Sequence, residues 1–208
     1  MYILFIISII GLFSMLPIHF LSVEHLSFQK KYGKEKCLKF TKILGIISGW
    51  GFFLFLIGIW ISPQPKFIIP FFENFFVLIP IFNFAIIIFH LIISLPLIIC
   101  GAYFGISGVK AITLKVSETH KTEMIITSGI YSRVRHPQYL GAIIAHFGLS
   151  VLLSMFFSLL VTPLIFLYIH IISWKEEKEL IKEFGEQYEI YKRNVPMFIP
   201  KLKISQKS

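Results

Sequence analysis

The chain alternates long apolar stretches with short polar ones, and the length of each apolar stretch predicts what it can form. A helix rises 1.5 Å per residue and a bilayer's hydrocarbon is about 30 Å thick, so about 20 mostly apolar residues make one crossing. Lipid leaves backbone N–H and C=O groups without partners, which favours the helix for such stretches. Four regions qualify: Tyr2 to Val23, Ile43 to Ile61, about Phe75 to Ser107, and Tyr139 to Ile172. The first lacks the basic start and small-residue cleavage site of a signal peptide and reads as a retained helix. The third is interrupted by Pro80 and Pro96, which places its spanning part near Phe82 to Gly105.

The fourth region runs 34 residues without a formal charge. As one helix it would measure about 51 Å, too long for one bilayer and too short for two full crossings. A tight helical hairpin is therefore predicted, turning near Ser154 to Ser158 with Pro163 in its second arm. The expected fold is an all-α membrane protein of about five transmembrane helices, the fourth and fifth forming the hairpin, followed by a cytoplasmic amphipathic C-terminal helix. Residues 1–107 hold three crossings and residues 108–208 hold the hairpin and tail, in one integrated domain.

Composition agrees with this pattern. The chain is 56% hydrophobic and 15% charged, whereas soluble domains carry about 25% charged residues. The formal charge of +9 suggests nucleic acid until its distribution is examined. Nineteen of the twenty Lys and Arg fall in three places: the loop from Glu24 to Lys42, the segment from Gly108 to Gln138, and the tail after Trp174. The intervening loop has only Lys66 and the hairpin turn has none. Basic residues collect on the cytoplasmic side of short loops, so the N-terminus is expected outside and the C-terminus in the cytoplasm. The charge then reports topology, with some attraction to anionic lipid, and not nucleic-acid binding. Cys37 and Cys100 form no disulfide framework or metal spacing. With no organelle address visible, a prokaryotic plasma membrane is expected.

Two polar segments flank the hairpin on the same expected side. The first is Thr127 to Gly141, with Arg133-Val134-Arg135-His136-Pro137 at its centre. Pro137 suits the first turn of a helix, which puts His136 at a helix N-terminus, an anion-binding position beside the permanent charge of Arg135. A snorkelling arginine before an ordinary Pro-initiated helix is the alternative. The second segment contains Glu176, Glu177 and then Phe184-Gly185-Glu186-Gln187-Tyr188-Glu189-Ile190-Tyr191. His170, Trp174, Glu177 and Ile181 recur at helical spacing as one stripe, and Glu176 lies about 100° from Glu177. A solvated amphipathic helix with pairs such as Glu179 and Lys182 is the alternative. The hairpin would bring the glutamates close to His136. Anion donors facing carboxylates would suit an amino-acid-like cofactor carrying an amine or sulfonium as well as a carboxylate.

Four histidines lie in apolar regions: His19, His90, His146 and His170. Ionisable residues inside a membrane are functional candidates, and a haem or quinone carrier is the competing class. His19 and His170 are expected to reach the interface. His146 shares a helix face with Tyr139 and Ile143 and is expected to serve interhelical packing. Gly101, Gly105 and Gly108 permit close helix contact.

An aromatic after Gly, then R-H-P-x-Y-x-G, a charge-free hairpin, E-E, F-G-x-x-Y-x-x-Y and V-P stand here as Gly129 to Gly141 and Glu176 to Pro196. With this order the sequence resembles the integral-membrane methyltransferases that include isoprenylcysteine carboxyl methyltransferase and phospholipid N-methyltransferase. The resemblance covers roughly residues 105 to 200. It implies S-adenosyl-L-methionine bound on the cytoplasmic side and a lipophilic acceptor entering sideways between helices, most simply an isoprenylcysteine-type carboxylate. Phospholipid amine N-methylation and small-thiol S-methylation are alternatives on the same scaffold. By position, Tyr131, His136, Tyr139 and Gly141 would line the cofactor site, and Glu176 and Glu177 would hold its methionine and ribose end. Glu176 and Arg135 would serve catalysis, Arg135 by orienting the acceptor or by steadying the loop. Gly105-Ile106-Ser107-Gly108 approximates the G-x-G element of phospholipid methyltransferases, and Lys115 to Glu123 is short beside the eukaryotic isoprenylcysteine enzymes. Membrane lipids are the expected partners, with neither metal nor nucleic acid.

Overall fold

A computed structural model describes residues 2–68, 75–79, 84–112 and 124–200, and the chain is mostly helical. The apolar N-terminal stretch forms α1 (Ile3–Val23), with Pro17 inside it. The lysine-rich segment, expected as a loop, is helical as well: α2 (His25–Tyr32) leads through Gly33 into α3 (Lys34–Ile61). Lysine is a good helix former, so only Gly33, at φ +79°, breaks the run. The second apolar stretch therefore begins nine residues inside a 28-residue helix.

The third apolar region departs from expectation at its start. Two short antiparallel strands, β1 (Phe76–Ile79) and β2 (Phe84–Ile87), pair Phe76 with Ile87 and Ile79 with Phe84. This two-stranded ribbon, whose aromatic and β-branched residues favour strands, is a small addition to a fold that is otherwise helical as expected. The helix α4 runs Ile88–Ile112, later than the span from Phe82 to Gly105. Pro80, Phe82, the segment Lys115 to Glu123 and the end of the tail from residue 201 lie outside the described residues.

The hairpin is present. Pro137 opens α5 (Pro137–Leu152), a turn follows, a short α6 (Phe156–Leu160) precedes α7 (Thr162–Phe184), and Pro163 sits in the first turn of α7. Gly185, at φ +55°, separates α7 from α8 (Glu186–Asn194). The loop after α3 clamps the hairpin turn. Gln64 Oε1 accepts from the Ser158 N–H at 2.8 Å, Lys66 Nζ donates to the Leu153 carbonyl at 2.9 Å, and Phe67 N–H donates to Ser154 at 3.0 Å.

Among the described residues, α1, α3 and α4 are long and apolar enough to cross a membrane, and α5 is a shorter apolar helix. Leu12, Met15, Phe52, Leu56, Ile165, Tyr168 and Ile169 join α1, α3 and α7 in one core. The pair α4 and α5 packs separately through glycine. A Cβ added at Gly141 would lie 2.5 Å from the Gly105 nitrogen and 2.6 Å from the Gly101 oxygen. This backbone contact is what the glycines of α4 were expected to permit. Between the α1/α3/α7 group and the α4/α5 pair lies an apolar cavity of about 720 Å³. Gly49 and Gly105 have no other atom within 4 Å of where a Cβ would stand, which leaves that space open.

His146 packs as expected: Trp60 Nε1 donates to its Nδ1 at 3.1 Å and its Nε2 lies 3.2 Å from the Ser158 carbonyl. His90 is buried, with Nδ1 2.8 Å from Ser154 Oγ.

Candidate functional site

The site forms where the two hairpin arms return to one end of the bundle. Before α5, Gly129 at φ +60° opens a single 3-10 turn, Gly129–Ser132, which delivers the chain to Arg135 and His136. Backbone pairing fixes this approach: Arg135 N–H donates to the Pro196 carbonyl at 2.9 Å and His136 N–H to Met197 at 3.2 Å. The Tyr191 hydroxyl donates to the Tyr131 carbonyl at 2.7 Å. The tail thus roofs the turn, and V-P is where the two strands of chain meet.

Glu176 and Glu177 are adjacent on α7 and point to different partners, as the helical angle between them requires. Glu177 is fully buried. Its Oε1 accepts from Arg135 Nε at 2.7 Å and lies 3.1 Å from His136 Nε2, and its Oε2 is 3.0 Å from Lys192 Nζ. Burial pushes the Glu177 carboxyl up, but His136, Arg135 and Lys192 outweigh it and hold the group at about 2. The Arg135 guanidinium also donates to the carbonyls of Lys192, at 2.9 Å, and Val195. Arg135 therefore ties α5, α7 and the tail together.

Glu176 is half-buried and faces the other way. Its Oε1 accepts from the Tyr139 hydroxyl and lies 3.0 Å from His19 Nε2, while its Oε2 is 3.6 Å from His136 Nδ1. The His136 and Tyr139 rings stack, with centroids 5.7 Å apart. His19 was expected at the interface but is buried in this cluster. An ionisable residue in an otherwise apolar helix was the available signal. Lys192 was missed because nothing in its local spacing marks it.

A polar cleft lies beside this cluster. Tyr131, Arg135, His136, Gln138, Tyr139 and Glu176 line it, together with Glu179, Glu183, Leu180 and Tyr188. Burial raises the Tyr131 and Tyr188 hydroxyls well above their ordinary range, so both are neutral donors near pH 7. Glu179 is buried, which raises its carboxyl, but ion pairs to Lys182 at 2.8 Å and Lys175 at 3.1 Å bring it below the usual value. The expected Glu179–Lys182 pair thus forms. Glu177 stands behind the cleft wall and Gly141 borders the apolar cavity instead. His170 and Trp174 are exposed, so the stripe expected on α7 is not one face in the fold; the buried face runs through Ile165, Ile169 and Ile172 to Glu177.

The cleft and the cavity meet at Gln138 and Tyr139, which line both. The donor set fits a sulfonium nucleoside. Glu176, Glu179 and Glu183 would face an ammonium and ribose hydroxyls, the α5 N-terminus would offer N–H groups to a carboxylate, and Leu180 with Ile112 and Ile126 would form an apolar wall for a base. No group of three or more metal-ligating side chains occurs among the described residues.

Comparison with known proteins points to the same part of the chain. The sequence model of the phospholipid methyltransferase family matches residues 89–187. The protein-S-isoprenylcysteine O-methyltransferase of Schizosaccharomyces pombe is 37% identical over 92 residues, which is 40% of this chain and 36% of that protein. The corresponding Xenopus laevis protein is 35% identical over 95 residues, 42% of this chain and 31% of its own. A methanethiol S-methyltransferase of Crocosphaera subtropica is 32% identical over 99 residues, 47% of this chain and 38% of its own. The matched stretch thus spans about a third of the length of each relative.

Proposed function

Because residues 89–187 carry the phospholipid methyltransferase family's sequence, we propose that the chain is a membrane methyltransferase. It moves a methyl group from S-adenosylmethionine in the polar cleft to a lipophilic acceptor in the apolar cavity. An isoprenylcysteine-type carboxylate is the acceptor this reading favours. The observation that carries it is the junction at Gln138 and Tyr139, where a polar site for the donor and an apolar site for the acceptor share a wall.

Bound in this cleft, S-adenosylmethionine would supply an electrophilic methyl group, its C–S electron pair leaving with sulfur as the acceptor oxygen takes the methyl. A carboxylate acceptor has no proton to lose, so the chain's residues need only position and exclude water. Tyr131, His136 and Tyr139 line the donor site, and Glu176 offers the carboxylate oxygens nearest the junction. Glu177 acts from behind, holding His136 and Arg135 in place. Arg135 already makes three polar contacts, which supports its steadying the loop more than its reaching the acceptor. Gly141 allows α4 and α5 to touch, which sets the cavity wall. The two hairpin arms complete five crossings with α1, α3 and α4, residues 1–107 and 108–208 acting as one domain with the cleft on the cytoplasmic side.

A small thiol is the second reading, favoured by the likeness to methanethiol S-methyltransferase. It requires a base, for which His19 and Glu176 are the groups beside the junction. Calorimetry on purified protein in detergent tests the first claim. Wild type binds S-adenosylmethionine, and His136→Ala and Glu176→Ala each weaken binding at least about tenfold while remaining monodisperse, as loss of charged hydrogen bonds predicts. Unaltered binding in both variants refutes the cleft assignment.

A further inference from the structure

Part of the polar cleft is walled by the N-terminal segment, which lies outside the matched residues 89–187. Val23, the last residue of α1, and His25, the first of α2, both line it. Glu24 stands between them and pairs with Lys175 of α7 at 2.5 Å, and Lys175 in turn reaches Glu179, one turn further along, at 3.1 Å. The Lys175 side chain is only 13% exposed, and its ammonium lies 5.8 Å from the centre of the Phe20 ring, so α1 encloses this bridge. Glu179 lines the cleft and is 8% exposed. Lys175 and Lys182 both contact its Oε1, and among the described residues its Oε2 has no hydrogen-bond partner. Glu176, three residues back, shares the cleft-facing side of α7 with it, whereas Glu177 turns behind the wall.

We infer that Glu24 and Lys175 are positioning residues for the methyl donor, holding Glu179 so that its Oε2 accepts a ribose hydroxyl. This deepens the methyl-transfer reading and rests on it. Two ammonium groups already offset the Glu179 charge, so a third cation gains little there, while an O–H donor still finds an oxygen with open lone pairs. Leu180, the next residue, belongs to the apolar wall, and a base on that wall brings its sugar beside Glu179. The corner between α1 and α2 is itself anchored, since Cys37 Sγ of α3 donates to the His25 carbonyl at 3.3 Å. α1 thus reaches both carboxylates that face the cleft: His19 meets Glu176 at 3.0 Å, and Glu24 meets Glu179 through Lys175.

The test titrates S-adenosylhomocysteine and its 2′-deoxy and 3′-deoxy analogues into the full chain in detergent. Wild type should bind the parent at least about tenfold more tightly than one of the two analogues, as loss of a hydrogen bond to a charged acceptor predicts. Glu179→Ala and Lys175→Met should each reduce that preference to about threefold or less, whereas Lys175→Arg, which can still bridge two carboxylates, should keep it above about fivefold. The preference is a ratio of affinities on one preparation, so partial unfolding leaves it unmoved, and a merely structural role for Lys175 predicts no change. The Glu24 side chain is 31% exposed, so Glu24→Ala remains informative if Lys175→Met fails to fold. It should lower the preference at least about twofold, through the shared lysine. Equal wild-type binding of the parent and both analogues overturns the inference and leaves the methyltransferase reading standing. An unchanged preference in Glu179→Ala, Lys175→Met or Glu24→Ala does the same. If wild type binds no S-adenosylhomocysteine, the methyltransferase reading falls and the inference falls with it.

Discussion

Replacing Glu177 by Gln should destabilise the protein at neutral pH by an amount that vanishes in acid. The carboxylate is fully buried between Arg135, His136 and Lys192. The held value of about 2, against an ordinary 4.5, corresponds to roughly 3 kcal/mol of stability. Because the folded-state value is depressed, this contribution is complete above about 4.5 and is lost as pH falls through about 2. Removing one partner of a buried pair typically costs about 3–5 kcal/mol, since the guanidinium left behind is desolvated and unpaired. At roughly 2–4 °C per kcal/mol for a chain of this size, Glu177→Gln should lower Tm by roughly 6–12 °C at pH 7. Thermal unfolding in detergent, measured on both proteins from pH 7 downward, should show the gap narrowing below about 4.5. Using the difference cancels carboxylates common to both. The double variant Arg135→Gln/Glu177→Gln should lose less than the two singles together, because neither partner then remains alone. A constant gap across pH, or strict additivity, would refute the buried-pair account.

Gly141→Val should fail to give a monodisperse protein on size-exclusion chromatography, because its Cβ would stand 2.5 Å from backbone of α4 and overpacking against backbone has no side chain to yield. Gly49→Phe has open space before it. It should leave S-adenosylmethionine affinity within about twofold while raising the acceptor KM about tenfold or more, an estimate from loss of apolar burial; unchanged acceptor kinetics would place the acceptor outside this cavity.

Much of this arrangement was legible in the sequence because length and charge constrain it. A charge-free run too long for one crossing had to fold back, and Pro137 marked where its first arm begins. The β1/β2 ribbon was not legible, since its apolar residues read equally well as the start of a buried helix. Periodicity cannot separate a short strand from a helical segment of the same composition. The helical character of the lysine-rich segment was likewise obscured: its charges bear on which side of a membrane the segment would face, and that says nothing about backbone conformation. On α7 the stripe through His170 and Trp174 followed chemistry-bearing residues, whereas packing is decided by the apolar residues Ile165, Ile169 and Ile172.

The meeting of His136 with the glutamates follows from matched arm lengths. The first arm, α5, has 16 residues, and α7 from Thr162 reaches Glu177 after the same number. Each arm therefore rises about 24 Å from the turn, which brings the two polar ends level. A residue added to either arm would move its end by 1.5 Å and rotate it by about 100°. Glu177 would then turn away from Arg135, and a buried guanidinium would lose its carboxylate. The clamp of Gln64, Lys66 and Phe67 on the turn has a functional consequence for the same reason. By fixing where both arms begin, the far end of the bundle determines which side chains meet at the site.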